Sequence, residues 1–194
     1  MNMALDSNRA VSDEALLILY GNGDRSAARD LTLRMGPLAF RVAMRMLRDT
    51  AEAEDVAQDA LLRLWKIAPE WRKGEAKVTT WLYRVTANLA TDRLRKRRVL
   101  GLDEAPEIED DSASPYDRMI DDARAQALQS ALDQLPERQR EAVILRHIEG
   151  LSNPQIAVAM ETGVEAVESL TARGKRALTA LLKGQREALG YDHD

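Results

Sequence analysis

The sequence predicts an all-α protein with two small helical domains joined by a flexible acidic linker, the second domain being a helix-turn-helix domain. Apolar residues recur at helical spacing through most of the 194 residues, and aromatic residues make up only 4% of the chain. Residues 99–116 lack this spacing and contain two prolines, two serines and six acidic residues. We therefore expect domains at 1–98 and 117–194, with a linker at 99–116.

Capping residues mark the first two helices. Ser12 can cap a short helix, and Asp24 can cap a long helix that runs to about Arg48. Inside the long helix, Gly36-Pro37 predicts a break or kink, because proline lacks a backbone donor and clashes with the preceding turn.

Residues 51–68 predict a helix with an apolar stripe and an acidic face beside it. Leu62 and Trp65 fall away from the main stripe, so they either complete a wide core or belong to a docking face for another protein. No histidine accompanies the carboxylates, which argues against a metal or acid–base site. The candidate docking residues are Asp55, Gln58, Asp59, Leu62 and Trp65.

Residues 78–98 predict a helix with an apolar side, and Thr79 is placed to cap it. The opposite side is a polar stripe, and the last turn carries more cations than a helix dipole needs. This end is either a solubilising surface or, with the basic loop 69–77, a nucleic-acid surface on which Trp81 and Tyr83 stack on bases. The candidate contacts are Arg72, Lys73, Lys77, Arg84, Asn88, Arg95, Arg97 and Arg98.

The second domain predicts a helix over 117–135, stopped by Pro136, and a further helix that ends at Gly150. Ser152 can cap the next helix, and a turn at 161–163 leads into the last one. Two helices joined by a short turn predict a helix-turn-helix, although helical hairpins without ligands share the pattern. The expected buried positions are Ile156, Ala157, Met160, Val164, Val167, Leu170, Gly174, Leu178, Leu181 and Leu182.

Composition excludes several classes of function. The absence of cysteine excludes disulfides and thiol chemistry and suits the cytoplasm, where we expect this protein. No apolar run approaches the ~20 residues of a membrane span, so we expect no membrane insertion. We find no phosphate loop, nucleophile motif or metal-ligand cluster, and therefore expect no enzyme activity, cofactor, metal or small-molecule substrate.

The net charge of −4 conceals a segregated distribution of charge. Residues 1–100 carry 18 Lys and Arg against 13 Asp and Glu, whereas residues 101–116 carry six acidic residues and no basic one. A basic first domain beside an acidic linker is compatible with nucleic-acid binding in spite of the total.

Three motifs resemble those of the extracytoplasmic-function class of bacterial RNA polymerase sigma factors. AEAEDVAQDALLRLW is similar to the family's polymerase-binding helix, and TTWLYRVTANLATDRLRKRR is similar to its minus-ten promoter helix. LPERQREAVILRHIEGLSNPQIAVAM with VEAVESLTARGKRAL is similar to its minus-thirty-five helix-turn-helix. The resemblance covers about residues 12–184 and implies a promoter-specificity subunit, with catalysis left to the polymerase.

The resemblance also implies roles for these surfaces. The docking residues of 51–68 would contact the clamp helices of the largest polymerase subunit, and the second domain would rest on the flap of the second-largest subunit. Asn88 and the basic loop would bind the unwound minus-ten strand, while the arginines hold its backbone. An anti-sigma factor would hold the protein inactive, and the regulon would be a stress response.

The recognition helix departs from the family pattern. Glu168 stands where lysine is usual, Leu170 where arginine is usual, and Glu161 where the turn generally has glycine. Glu168 either accepts a hydrogen bond from a cytosine amino group or only weakens binding. The candidate minus-thirty-five contacts are Glu165, Glu168, Ser169, Arg173, Lys175 and Arg176.

Two other functions are compatible with the sequence. An ordinary duplex-binding regulator would use the helix-turn-helix alone, but the last helix carries few cations for that. A sigma-factor mimic would capture anti-sigma factors without supporting transcription, and the acidic recognition helix favours it. Asn88 and the arginine stripe argue against the mimic.

Overall fold

The computed structural model describes residues 11–72, 74, 77–100 and 115–183, and for residues 115–122 it describes the backbone alone. Every regular element in these ranges is helical, which confirms the predicted all-α class. The chain divides into two compact units, residues 1–104 and 105–194. The predicted linker bounds of 99 and 116 are wrong, since residues 99–100 and 115–116 belong to helices, and residues 101–114 lie outside the described residues.

The helices described in the first unit are α1 (Asp13–Gly21), α2 (Arg25–Leu47), α3 (Thr50–Ile67) and α4 (Val78–Leu100), and a 3-10 turn (Ala68–Glu70) follows α3. Helix α2 packs against each of the other three. It can do so because its buried residues recur at helical spacing along more than four turns. Those of its middle and end are Leu31, Met35, Ala39, Val42, Ala43, Met46 and Leu47.

Side-chain caps fix where these helices begin. Ser12 Oγ accepts a hydrogen bond from the Ala15 amide (3.2 Å), and Asp24 Oδ1 accepts one from the Ser26 amide (2.8 Å), which confirms both predicted caps. Hydrogen bonds from the Ser26 hydroxyl and amide lower the pKa of Asp24. Helix α3 is capped by Asp49, which sequence reasoning did not single out.

The predicted break at Pro37 and the predicted cap at Thr79 are wrong, while a kink at Pro37 stays a prediction. Helix α2 continues without interruption through Pro37, because Met35 and Ala39 pack both of its halves into one core while Pro37 lies exposed. Helix α4 begins at Val78, and the Trp81 amide donates to the Lys77 carbonyl (3.1 Å). Thr79 therefore lies inside the first turn and does not cap the helix.

The helices described in the second unit are α5 (Pro115–Asp133), α6 (Glu137–Val143), α7 (Asn153–Ala159) and α8 (Val164–Lys183). A π-helical turn (Ile144–Ile148) continues α6. The helix expected to end at Gly150 thus has a widened last turn, which hydrophobic periodicity does not reveal. Helix α8 packs against α5, α6 and α7.

Gly174 permits the close approach of α6 and α8. A Cβ atom at this position would lie 2.5 Å from Val143 Cγ2 and 3.2 Å from the Gln139 carbonyl oxygen. The predicted burial of Gly174 and Val167 is confirmed, whereas that of Val164 is wrong, since Val164 is 39% exposed. Val164 is the first residue of α8 and precedes the buried residues of that helix.

Candidate nucleic-acid interface

The first half of α4 is buried on more than one side. Trp81 packs edge-to-face on Trp71, with ring centroids 6.3 Å apart, so its ring is engaged within the unit. Tyr83 is buried, and its expected stacking on bases is therefore wrong. Polar and aromatic side chains outside the predicted apolar stripe are buried as well: Thr80, Tyr83 and Thr86.

The polar stripe of α4 faces solvent in the helix's second half. Asn88, Arg95 and Arg98 are exposed, while Arg84 and Thr91 are half-buried. Arg95 Nη1 lies 3.7 Å from Asp92 Oδ1, and both side chains are about two-thirds exposed, so this pair contributes little to stability. Arg95 keeps its charge at the surface, where a phosphate could approach it.

Arg97 occupies a different position from the stripe. Its side chain is only 16% exposed, and Nη2 lies 2.9 Å from Glu52 Oε2 and 3.2 Å from Asp49 Oδ2. Nη1 also donates to the Leu47 carbonyl (3.0 Å). Since Asp49 caps α3, Arg97 ties the end of α4 to the α2–α3 turn, and we withdraw it from the nucleic-acid contacts.

Arg93 takes part in the same α3–α4 contact, although sequence reasoning missed it. Its Nη1 lies 3.6 Å from Asp55 Oδ2. Arg93 and Arg97 are four residues apart and therefore share a side of α4. That spacing, set against the acidic residues of α3, is the signal that could have separated these two arginines from Arg95 and Arg98.

The basic loop between α3 and α4 is described only in part. Arg72 and Lys77 are exposed, whereas Lys73 lies outside the described residues. The Gly74 amide donates to Glu14 Oε1 (2.8 Å), which links the loop to α1. The loop thus presents at least two cations near the start of α4.

The acidic face of α3 is exposed, but its two apolar neighbours differ. Leu62 is 55% exposed, so it belongs to the surface. Trp65 packs against the core and lies 4.9 Å from the Tyr20 ring, measured between centroids. Trp65 therefore belongs partly to the core, while Leu62 borders three exposed polar residues of α3: Asp55, Gln58 and Asp59.

Helices α7 and α8 form the predicted helix-turn-helix. Ser152 caps α7 through a capping box in which its amide donates to Gln155 Oε1 (2.9 Å), and this cap is confirmed. Ile156, Ala157 and Met160 are buried, as expected. The turn places Glu161 at a φ of 50°, a left-handed conformation that favours glycine.

The solvent side of α8 carries the predicted contacts. Its buried side consists of Val167, Thr171 and Gly174, and the Thr171 hydroxyl donates back to the Val167 carbonyl (2.8 Å). The acidic residues occupy the first two turns and the basic residues the later ones. Ser169 is half-buried, and the other predicted contacts are exposed: Glu165, Glu168, Arg173, Lys175 and Arg176.

Two titratable groups of the second unit have shifted pKa values. Burial raises the pKa of Glu141 to about 7, with Arg138 opposing the shift and Glu137 adding to it. Partial burial lowers the pKa of His147, and Lys175 and Arg146 lower it further. His147 is therefore mostly neutral at neutral pH, and it adds little positive charge beside α8.

Among the residues that the structure describes, no group of three or more His, Asp or Glu side chains could hold a metal ion. No helix in the same ranges combines the length and apolar character needed to cross a bilayer.

Two models of known families match this chain, one within each of the two compact units. Residues 31–99 match the family model of sigma-70 region 2, and residues 125–178 match that of sigma-70 region 4. The first match contains all of α3 and nearly all of α4, and the second contains α6, α7 and most of α8.

Individual proteins are similar over most of their length. The RNA polymerase sigma-H factor of Pseudomonas aeruginosa is 32% identical over 182 residues, covering 88% of this chain and 94% of that protein. The extracytoplasmic-function sigma factor SigM of Mycobacterium tuberculosis is 33% identical over 172 residues, covering 88% and 85%.

Two solved structures share the fold. CnrH in complex with the cytosolic domain of CnrY has a TM-score of 0.69 and 25% identity, covering 90% of this chain and 99% of that one. The sigma factor RpoE of Bartonella quintana, in complex with the anti-sigma factor NepR, has a TM-score of 0.63 and 25% identity, covering 80% and 96%.

Proposed function

The chain belongs to the extracytoplasmic-function family of RNA polymerase sigma factors, and from this premise we propose how its surfaces bind polymerase and promoter DNA. Its function is promoter-specific initiation of transcription, and the polymerase supplies the catalysis. The observation that carries the proposal is the separation of exposed cations on α4 from the acidic face of α3. These surfaces suit a polyanion and a protein partner, respectively.

The minus-ten element binds to the stripe of α4 and to the loop before it. Asn88 contacts bases of the unwound strand, since its exposed amide offers both donors and an acceptor. Phosphates are held by the cations around Asn88, which neutralise the backbone without regard to sequence. These cations are Arg72, Lys77, Arg84, Arg95 and Arg98, with Lys73 added from the sequence alone.

The exposed face of α3 binds the clamp helices of the largest polymerase subunit. Leu62 supplies an apolar contact among three exposed polar residues. Apolar side chains surrounded by polar ones are typical of the centre of a protein interface. Asp55, Gln58 and Asp59 form the rim, and Trp65, which packs against the core, contributes the exposed part of its side chain.

The second unit binds the minus-thirty-five element through α8 and rests on the flap of the second-largest subunit. Arg173, Lys175 and Arg176 contact phosphates, while Glu165, Glu168 and Ser169 face the base edges. The acidic segment between α4 and α5, residues 101–114, passes through basic channels of the polymerase.

An anti-sigma factor holds the protein inactive in the cytoplasm until a stress signal releases it. Support comes from the structural relative RpoE, which was solved with the anti-sigma factor NepR. No cofactor or small-molecule substrate takes part. An inhibitor that covers α3 and α4 would block polymerase and promoter together.

Run-off transcription with purified core polymerase, the full chain and a library of randomised promoters tests this proposal. We expect enrichment of promoters with two conserved blocks at a fixed spacing, because the two units bind separate elements. Specific binding of duplex DNA without polymerase would instead support a duplex-binding regulator. Core binding without transcription from any promoter would favour the sigma-factor mimic.

A further inference from the structure

Glu168 lies on the solvent side of α8, one turn inside the helix. Its position follows the first turn, so its charge is not needed to balance the helix N-terminus. Val167 and Thr171, its neighbours on the helix, are buried against the rest of the unit. Glu168 therefore projects away from the core on the side that α8 offers to DNA.

The carboxylate of Glu168 is oriented by the preceding helix. Asn153 Nδ2 of α7 donates to Glu168 Oε1 across 3.4 Å, the long end of the hydrogen-bond range. Asn153 Oδ1 is buried and has no hydrogen-bond partner among the described residues. The reverse orientation of this amide would set Oδ1 against a carboxylate oxygen, so the contact with Glu168 fixes the amide as observed.

Glu168 is separated along α8 from the cations that are assigned to phosphates. Glu168 and Arg176 are eight residues apart, which corresponds to ~12 Å along the axis. Phosphate contacts made by Arg173 and Arg176 in the later turns therefore do not occupy the exposed Glu168 carboxylate, which stays available to base edges.

We propose that Glu168, positioned by Asn153, recognises a cytosine in the minus-thirty-five element. A carboxylate offers only acceptors, and in the major groove cytosine offers its N4 amino donor. Adenine also has an amino group there, but its N7 acceptor lies beside it and repels a carboxylate. This inference rests on the proposed minus-thirty-five role of α8.

The test is run-off transcription by full-length chain and core polymerase from promoters randomised only in the minus-thirty-five block. The wild-type protein should prefer cytosine about tenfold at one position, as expected for one hydrogen bond to a charged group. Glu168→Gln should transfer that preference to adenine, because a glutamine amide can pair with both N6 and N7. Glu168→Ala should abolish the preference at that position.

Asn153→Ala tests whether Asn153 orients the Glu168 carboxylate. It should keep cytosine as the favoured base but reduce the preference about threefold, because the carboxylate is then free to rotate. Asp30→Asn, a carboxylate of α2 outside the proposed binding surfaces, is the control and should leave the profile unchanged.

The outcomes distinguish this inference from the function on which it rests. Transcription by Glu168→Ala that rises on all sequences, with an unchanged base profile, would show that Glu168 only repels DNA and would overturn the inference. A wild-type preference for another base at the Glu168-dependent position would overturn it too. Transcription that is indifferent to every base of the minus-thirty-five block would reject the minus-thirty-five role of α8, whereas no transcription from any promoter would reject the proposed function as a whole.

Discussion

Helices α4 and α8 both face DNA in the proposed function, but they are built differently. The first half of α4 is buried on several sides, and two of its later arginines are committed to α3. Helix α8 has one narrow buried side and leaves its charged residues exposed. In α4, therefore, some arginines stabilise the fold and others are left for binding. In α8, the buried side stabilises the fold and the exposed side is left for binding.

The largest expected effect is the difference in unfolding free energy between replacing Arg97 and replacing the neighbouring Arg95. Arg97→Ala should lower the free energy of unfolding of the first unit by about 3 kcal/mol, because it leaves Asp49 and Glu52 without their cation. Arg95→Ala should lower it by at most about 0.5 kcal/mol. Urea unfolding followed by tryptophan fluorescence reports this unit, which holds all three tryptophans. Equal effects would contradict the division of α4.

The second unit should lose stability as the pH rises. Glu141 has a pKa of about 7 in the folded state, against 4.5 as its ordinary value, so ionisation between these values favours unfolding. The loss should be on the order of 3 kcal/mol and should be complete about one pH unit above the folded-state pKa. Hydrogen exchange of the Thr171 amide, corrected for intrinsic rates, measures it. Glu141→Gln should be insensitive to this range; a slope like that of the wild type would refute the assignment.

The seam in which α8 packs against α6, at Gly174 and Val143, should be sensitive to one added methyl group. Gly174→Ala should destabilise the second unit by roughly 1–2 kcal/mol, since the new Cβ collides with Val143 Cγ2. Combining it with Val143→Ala removes that collision and should make Gly174→Ala less costly than in the wild-type background. The same hydrogen-exchange measurement applies. An additive double variant would show that the seam relaxes elsewhere.

Removing the exposed cations of α4 should affect promoter opening without affecting the fold. Arg95→Ala with Arg98→Ala should slow open-complex formation about tenfold and weaken its salt dependence, because fewer counterions are released. Affinity for core polymerase should not change. Arg25→Ala with Arg29→Ala removes the same charge from α2 and serves as the control. Equal effects of the two pairs would point to net charge alone.

Local signals predicted much of this fold. The helix starts at Ser12, Asp24 and Ser152 could be identified because a side-chain cap acts within three residues of its own position. The break at Pro37 and the cap at Thr79 failed because burial of neighbouring residues overrode the local preference. The left-handed Glu161 was visible only as a departure from a family pattern.

The sequence predicted which residue types form the candidate site but not which side chains those residues contact. Arg95, Arg97 and Arg98 are the same residue type in one turn, and the contacts of Arg97 with Asp49 and Glu52 separate it from the others. The four-residue spacing of Arg93 and Arg97 is the sequence signal for this difference, but its meaning depends on the acidic residues that α3 places opposite. Asn153 was missed because its relation to Glu168 joins two helices across a turn. Such contacts depend on tertiary approach, which periodicity along one helix does not encode.

The ion pairs of Arg97 and the apolar packing beneath α8 respond in opposite ways to temperature. Because charged groups are hydrated less favourably as temperature rises, the desolvation cost of the pairs with Asp49 and Glu52 falls on heating. The apolar seam under α8 depends on the hydrophobic effect, which weakens on cooling. Warming therefore favours the anchorage of the end of α4 to α3, whereas cooling weakens the apolar packing beneath α8.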